Sequence, residues 1–187
     1  MTDAVARRRF TISDYHRMGE AGILGCDERL ELIDGALVVR EPIGSRHAST
    51  VARLSRLWTF RLGEGAIVWP QNPIVLPNHD SELHPDVTIL APRVDLYAES
   101  HPLPADVLLL IEVADSSLRL DRRVKLPLYA RAGIREAWLC DLTTDRVEVH
   151  RQPGADGYAS VRVAVPGESL AAEAFPDLTL TVMDVLG

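Results

Sequence analysis

The stretch Val107-Leu108-Leu109-Leu110-Ile111-Glu112-Val113 decides the prediction of the fold. It is an unbroken apolar run between a proline-bearing segment and a polar cluster, which is typical of a strand buried on both faces of a sheet. Glu112, near the C-terminal end of this run, is out of place, because an unpaired buried carboxylate is costly. We therefore expect Glu112 to have a partner, which could be a metal ion, a lysine or an arginine.

Lys125 is the nearest candidate for this partner. It is the only lysine in the chain, against 19 arginines. The two cations differ in shape, hydration and proton affinity, so a lone lysine in an arginine-rich chain can mark a position that requires an ammonium group. It can equally be a residue left by chance on a solvated helix face. The sequence alone leaves both interpretations open.

The length and composition of the chain indicate one globular domain. A chain of 187 residues with 47% hydrophobic and 25% charged residues is long enough to bury a sizeable core. We expect a flexible tail over residues 1–9 and a single domain over residues 10–187. The net charge is −7 and the pI is about 5.3, which disfavours a protein that coats nucleic acid or an anionic membrane. A local basic groove remains compatible with these values.

The cysteines and the N-terminal sequence point to the cytoplasm. Cys26 and Cys140 are too few for a disulfide or metal framework, so we expect both to be reduced. The charged start of the chain lacks the apolar core of a signal peptide. No stretch approaches the roughly 20 apolar residues of a membrane span.

The order of predicted elements is that of a mixed α/β domain. Asp34-Gly35 between two apolar segments predicts a hairpin over residues 29–39. Helical periodicity predicts an amphipathic helix over 45–62 and a second helix over 118–132, with Gly133 as its C-terminal cap. The other predictions are one strand over 66–76 broken at 70–73, a polar turn over 78–82, and strands over 86–90, 107–113, 134–142, 146–151 and 158–165.

Asp86, Glu112 and Lys125 form the candidate site. Two acidic residues on neighbouring strands can hold one hard cation, completed by a backbone carbonyl and waters. Such a cation lowers the pKa of its water and polarises a phosphoryl oxygen, and a nearby lysine stabilises the charge that develops. The set suits metal-assisted hydrolysis of a phosphodiester. An ordinary buried ion network contains the same residue types.

The order of these residues resembles the PD-(D/E)xK nuclease superfamily. Pro85-Asp86 is followed, after 25 intervening residues, by Glu112 at the end of an apolar strand. The usual lysine position, two residues after the glutamate, is Ala114 here, which is a departure from the pattern. More closely, the chain resembles the Uma-type restriction endonuclease family over residues 10–186. The matching positions are Glu31-Leu32-Ile33-Asp34-Gly35, His47, Gln71-Asn72-Pro73, Pro85-Asp86-Val87, Ile111-Glu112-Val113, Ser116-Ser117, Asp121, Lys125, Tyr129, Gly133 and Trp138-Leu139-Cys140-Asp141.

The resemblance implies a restriction-endonuclease-like fold, with a mixed central β-sheet flanked by helices and an N-terminal hairpin. It implies a DNA endonuclease that depends on Mg²⁺ or Mn²⁺ and uses a metal-activated water. By this likeness Asp86 and Glu112 are metal ligands and the carbonyl of Val113 is a third. Lys125 is the catalytic lysine, relocated to the following helix, and Asp115 adds a negative charge beside the site.

Four further residues are candidates for accessory roles at the same site. By the resemblance, Glu31 corresponds to an acidic residue found earlier in the chain in this superfamily. His47 lies in the first turn of the predicted helix, where a histidine is more often structural than catalytic. Gln71 belongs to the matched positions, and Asp121 shares a helix face with Lys125.

Two other interpretations compete with the nuclease. The chain could be a catalytically inactive nuclease fold that serves as a binding or assembly module, which the acidic charge and the displaced lysine favour. Glu112 and Lys125 could also be only a buried ion pair, and Lys125→Met would then cost about 3–5 kcal/mol of stability. Sheet edges and a two-stranded substrate suit a homodimer. Arg53, Arg56, Arg122 or Arg123 is expected to line the approach.

Overall fold

Three β-sheets form the framework of the structure, a computed structural model that describes residues 8–25 and 28–187. Most of the predicted flexible tail, residues 1–7, lies outside the described residues, and so does Cys26. The strands are β1 (Leu30–Ile33), β2 (Ala36–Val39), β3 (Ile67–Pro70), β4 (Ile74–Leu76), β5 (Ser81–Leu83), β6 (Val87–Leu90), β7 (Val107–Ala114), β8 (Glu136–Asp141), β9 (Arg146–Gly154), β10 (Gly157–Ala164), β11 (Ser169–Leu170) and β12 (Leu180–Thr181). The helices are α1 (Ile12–Glu20), α2 (Ser45–Leu62), α3 (Leu118–Leu120), α4 (Leu126–Arg131) and α5 (Val182–Leu186).

The predicted buried strand is β7, inside a six-stranded mixed sheet of order β10-β9-β8-β7-β6-β3. It pairs in parallel with β8 and antiparallel with β6. Its side chains alternate between two hydrophobic clusters: Ile111 and Val113 join one, and Leu110 and Ala114 join the other. The strand is buried on both faces, as the continuous apolar run predicts.

Helices cover both faces of this sheet. The amphipathic helix α2 buries Leu54 and Trp58 in the cluster that contains Ile111. On the opposite face, α4 buries Leu128 and Tyr129 in the cluster that contains Leu110. The mixed central sheet flanked by helices confirms the predicted fold class. No helix in the described part of the chain is both long enough and apolar enough to cross a membrane.

The N-terminal hairpin forms where the Asp-Gly pair predicts it. Asp34 and Gly35 both have positive φ, at 47° and 73°, which is the backbone of the tight turn that matches strand twist. A side chain at Gly35 would also meet Arg9, whose Cβ lies 2.7 Å from the ideal Cβ position. The hairpin belongs to a second sheet of order β2-β1-β5-β4.

The prediction of a single broken strand over residues 66–76 is wrong. β3 lies at the edge of the six-stranded sheet, whereas β4 is an edge of the four-stranded sheet. The chain leaves one sheet for the other at Pro70-Gln71-Asn72-Pro73, where Gln71 has a φ of 52° and its amide donates to the carbonyl of Asp86. The predicted polar turn over 78–82 is also wrong at its end, since Ser81 and Glu82 lie in the buried strand β5.

The helical segment after β7 changes its winding in the middle. α3 continues into a π-helical turn over Asp121–Lys125, and α4 follows directly and ends before Gly133, which has a φ of 85°. The amide of Leu126 donates to the carbonyl of Asp121, five residues back. Pro127 follows at once, and it has no amide hydrogen for the carbonyl of Arg123. The widened turn therefore lies where ordinary α-helical hydrogen bonding is interrupted.

Candidate functional site

A cavity of about 610 Å³ lies where the two larger sheets meet. One wall is the segment 39–44, which connects the hairpin to α2. The other wall is the segment 115–125, which follows β7. Six of the predicted site residues line it together: Glu31, His47, Asp86, Glu112, Asp121 and Lys125.

Strand register brings the two principal carboxylates side by side. In the antiparallel pair β6–β7, Val87 lies opposite Ile111. Asp86 and Glu112, one residue further on each strand, therefore face each other on the same side of the sheet. Asp86 is 5% exposed and Glu112 is 2% exposed. The prediction that neighbouring strands carry these residues to one place agrees with this register.

In the described part of the chain, side chains contact Glu112 through one of its two oxygens. Oε1 accepts a hydrogen bond from the Tyr129 hydroxyl at 2.6 Å and lies 3.4 Å from Lys125 Nζ. Within the described residues, Oε2 accepts no hydrogen bond. A side chain that is fixed at one oxygen and lines a cavity is suited to offer its other oxygen to a ligand.

Lys125 reaches three carboxylates from the π-helical turn. Its Nζ lies 3.0 Å from Glu31, 3.4 Å from Glu112 and 3.8 Å from Asp121. Ala114 follows Glu112 on the same face of β7 and is fully buried. A methyl group at this position leaves space above the strand, so the lysine can enter from the following helix.

Asp86 is fixed by donors on three sides. Its Oδ2 accepts the amide of Val113 at 2.9 Å and lies 3.0 Å from Nε2 of His47. Its Oδ1 accepts the side-chain amide of Gln71 at 3.2 Å. Val113 is fully buried and contributes its amide to the site, while its carbonyl remains a predicted ligand. Gln71 acts on the site through Asp86 and does not line the cavity.

Burial and neighbouring charges shift the pKa values of Glu112 and Lys125. Burial raises the pKa of Glu112 to about 8, because the attraction of Lys125 is offset by Asp121, Asp86 and Glu31. Burial alone would lower the pKa of Lys125, but its three carboxylate neighbours raise it above the ordinary value. Lys125 is thus a permanent cation, shared among several anions.

The pKa of Asp86 shifts in the opposite direction to that of Glu112. Burial would raise the pKa of Asp86, but hydrogen bonds from His47, Val113 and Gln71 outweigh it and leave the pKa below its ordinary value. Asp86 is therefore ionised, and Glu112 is poised to lose a proton near neutral pH. Two carboxylates side by side in different environments are a feature of functional sites.

The buried groups carry more negative than positive charge. Four carboxylates lie at the base of the cavity, from Glu31, Asp86, Glu112 and Asp121, each at most 5% exposed. In the described part of the chain, Lys125 and Arg40 are the lysine and arginine within 4.0 Å of them, and His47, which is charged only when protonated, lies 3.0 Å from Asp86. An all-oxygen donor set with excess negative charge fits a hard divalent cation.

The site is not a preformed metal cage. No group of three or more His, Cys, Asp or Glu side chains within residues 8–25 and 28–187 is arranged to hold a metal ion. Mg²⁺ commonly uses only one or two carboxylates and keeps several waters. The pair Asp86 and Glu112 therefore fits this cation in chemistry and in ligand number.

Comparison with known proteins gives the family. A family model described as "Putative restriction endonuclease" matches residues 12–183. The chain belongs to the Uma2 family. The fold of this Uma2 protein is similar to the crystal structure of "a putative nuclease belonging to DUF820" from Anabaena variabilis, with a TM-score of 0.75 and 15% identity over 95% of this chain and 97% of that chain. No curated protein matches the sequence significantly.

The family and the fold are those of restriction-endonuclease-like nucleases, which generally use divalent metals. The resemblance found in the sequence is thereby confirmed. At 15% identity, the structural likeness itself shows the fold alone.

The arginines of the Uma2 site are mostly not those that the sequence suggested. Of the four predicted to line the approach, only Arg123 does so. Arg53 donates to the carbonyl of Leu186, and Arg122 pairs with Glu148 and Asp141. The cavity is lined instead by Arg29, Arg40, Arg119 and Arg123.

Arg40 and Tyr129 are the main functional candidates to which the sequence analysis gave no site role, although Tyr129 is one of the positions that carry the resemblance. Arg40 lies directly after β2, with its guanidinium 3.7 Å from Glu31 and 4.0 Å from Asp86. Tyr129 lies four residues after Lys125, one helical turn further along the same face. That spacing was the available signal for Tyr129, whereas nothing distinguishes Arg40 among 19 arginines.

Proposed function

We propose that this Uma2 protein is a divalent-metal-dependent endonuclease that hydrolyses phosphodiester bonds in DNA. One observation carries the proposal: Asp86, Glu112 and Lys125 come from three different elements to the base of one cavity, where buried carboxylates outnumber cations. The family and the fold support a nuclease, and the donor set supports the use of a metal.

Asp86 and Glu112 would hold the cation, which we propose is Mg²⁺ or Mn²⁺, with the Val113 carbonyl as a third ligand. A cation there would polarise a phosphoryl oxygen and make a bound water more acidic. His47, Gln71 and the Val113 amide keep Asp86 ionised and oriented. Tyr129 fixes one oxygen of Glu112 and leaves the other available.

Lys125 acts as a fixed positive charge in this proposal. Its raised pKa means that it does not accept a proton at neutral pH, so it is not a general base. Its ammonium instead stabilises the negative charge that develops on the phosphate. Glu31 and Asp121 hold the ammonium in place, which gives both accessory residues a positioning role.

Cleavage of plasmid and of single-stranded DNA by metal-stripped protein, before and after Mg²⁺ or Mn²⁺ is restored, tests the proposal. The matched variants are Asp86→Asn, which removes a proposed ligand, and Asp177→Asn, which changes an exposed aspartate away from the cavity. We expect metal-dependent cleavage by the wild type and by Asp177→Asn, and its loss in Asp86→Asn.

Two outcomes would contradict the proposal. Equal cleavage by wild type and Asp86→Asn would indicate a contaminating nuclease. No cleavage by any protein, together with no heat on titration with Mn²⁺, would favour the inactive binding or assembly module.

We also propose a homodimer in the cytoplasm. β10 is an outer strand of the six-stranded sheet, and Val161 and Val163 on it are 51% and 47% exposed. An edge strand with exposed apolar side chains can pair with the same strand of a second copy. The reduced state expected for the cysteines supports a cytoplasmic location, and Cys140 is free and buried.

A further inference from the structure

The cavity limits which form of nucleic acid can reach the proposed site. Asp86, Glu112 and Lys125 are each at most 5% exposed, so a phosphate that meets them must enter between the walls 39–44 and 115–125. The volume of about 610 Å³ lies within the range of pockets that enclose a single small ligand. This space suits one or two nucleotides of a strand.

A paired strand cannot easily enter such a space. A DNA duplex is stiff, with a persistence length of about 50 nm, and each of its strands is tied to a complement. An unpaired strand bends freely and can lead one phosphate to the base of the cavity. The burial of the carboxylates therefore favours an unpaired strand over a duplex.

The walls carry groups that complement an unpaired strand. Arg119 and Arg123 lie four residues apart on the segment after β7, and both line the cavity. Among the described residues neither forms an ion pair or a side-chain hydrogen bond, whereas their neighbour Arg122 is engaged by Glu148 at 2.5 Å. Two such guanidinium groups at the rim of an acidic cavity are suited to consecutive phosphates.

Apolar side chains lie at the same rim. Val39 is 72% exposed on one wall and Val124 is 37% exposed on the other. Apolar groups on both sides of the cavity are positioned to contact the apolar faces of a ligand that enters it. Unpaired bases have such faces, whereas the bases of a duplex are stacked inside it.

We infer that the site takes an unpaired DNA strand, with its phosphates on Arg119 and Arg123 and its bases between Val39 and Val124. This inference rests on the proposed nuclease function and specifies its substrate. Within the described residues, no Phe, Tyr or Trp side chain lines the cavity. Because the proposed contacts are to phosphates and to the apolar faces of bases, binding should depend on salt and show little dependence on base sequence.

Cleavage of three DNA substrates of one sequence tests the inference: a single strand, a blunt duplex, and a duplex with a single-stranded tail. We expect cleavage of the single strand and of the tail at least about tenfold faster than of the duplex. Opening one base-pair step costs about 1.4 kcal/mol, which corresponds to this factor. Equal or faster cleavage of the blunt duplex would overturn the inference and leave the nuclease proposal standing.

Binding to the single strand, measured by fluorescence anisotropy with Ca²⁺ in place of Mg²⁺, tests the arginines. Loss of two phosphate contacts should reduce the slope of log affinity against log salt by about 1.4 in the double variant Arg119→Ala/Arg123→Ala. The control Arg56→Ala/Arg61→Ala removes two exposed arginines of α2 that lie outside the cavity and should leave the slope unchanged.

The binding assay also separates this inference from the nuclease proposal. An unchanged slope in the Arg119/Arg123 variant would overturn the role of these arginines. Preferential binding of the single strand, with a reduced slope in that variant but no cleavage of any substrate, would support the strand site and contradict the nuclease.

Discussion

Glu112→Gln should stabilise the metal-free protein and abolish its metal-dependent activity. Burial raises the pKa of Glu112 to about 8 from an ordinary 4.5, so the folded protein binds this proton more tightly than the unfolded chain does. The contribution of Glu112 to stability is therefore greatest below pH 4.5 and is lost as the pH rises through 8. Glutamine keeps an oxygen for the Tyr129 hydroxyl and does not titrate.

The expected difference follows from these two pKa values. At about 1.36 kcal/mol per pH unit, the variant should exceed the wild type in free energy of unfolding by about 3 kcal/mol at pH 7. The excess should shrink as the pH falls toward 4.5. Urea unfolding in the presence of a chelator, at about pH 6 and about pH 8, measures this difference.

Glu99→Gln changes an exposed glutamate and should stay within about 0.5 kcal/mol of the wild type. Adding Mg²⁺ should stabilise the wild type more than Glu112→Gln, because the metal binds the folded state. If the wild type were several kcal/mol more stable than Glu112→Gln at pH 7, Glu112 and Lys125 would be a structural ion pair and the reasoning would be refuted.

Three other changes test separate parts of the site and the assembly. Tyr129→Phe should retain the fold but weaken Mn²⁺ binding by about 10- to 100-fold in calorimetric titration, because Glu112 loses its orienting donor; unchanged affinity would remove Tyr129 from the site. Lys125→Met should abolish cleavage and lower stability by about 3–5 kcal/mol in urea unfolding, since buried carboxylates lose their shared cation; retained cleavage would exclude the catalytic lysine. Val161→Arg should convert a dimer to a monomer in sedimentation experiments, while Val94→Arg, at a fully exposed position elsewhere, should not.

Local sequence patterns were sufficient to predict the elements whose conformation depends mainly on neighbouring residues. The apolar run of β7, the periodicity of α2 and the Asp34-Gly35 turn each have a single good structural solution. The separation of β3 from β4 was not predictable in the same way. A pattern of apolar residues shows that a strand forms but not which strand it pairs with, and Pro70 to Pro73 is compatible with a bulge or with a change of sheet.

The sequence predicted the part of the site whose positions follow from the alternation of side chains along strands. Asp86 and Glu112 face each other because Asp86 directly precedes β6 and Glu112 lies on the neighbouring strand β7, one residue beyond the pair Val87 and Ile111. Arg119 and Arg40 were not predictable, because no periodic pattern distinguishes either of them among the 19 arginines. Their positions depend on how the hairpin and the segment after β7 pack against the sheet.

The π-helical turn over Asp121–Lys125 makes the length of the chain around the site as important as its composition. An α-helix advances by about 100° per residue, so deleting one residue between Ser117 and Asp121 would rotate Lys125 away from Glu112 by roughly that angle. Substitutions at exposed positions such as Arg122 leave this count intact. Among relatives of this protein, insertions and deletions should therefore avoid the segment from Ser117 to Pro127, even where residue identities there differ.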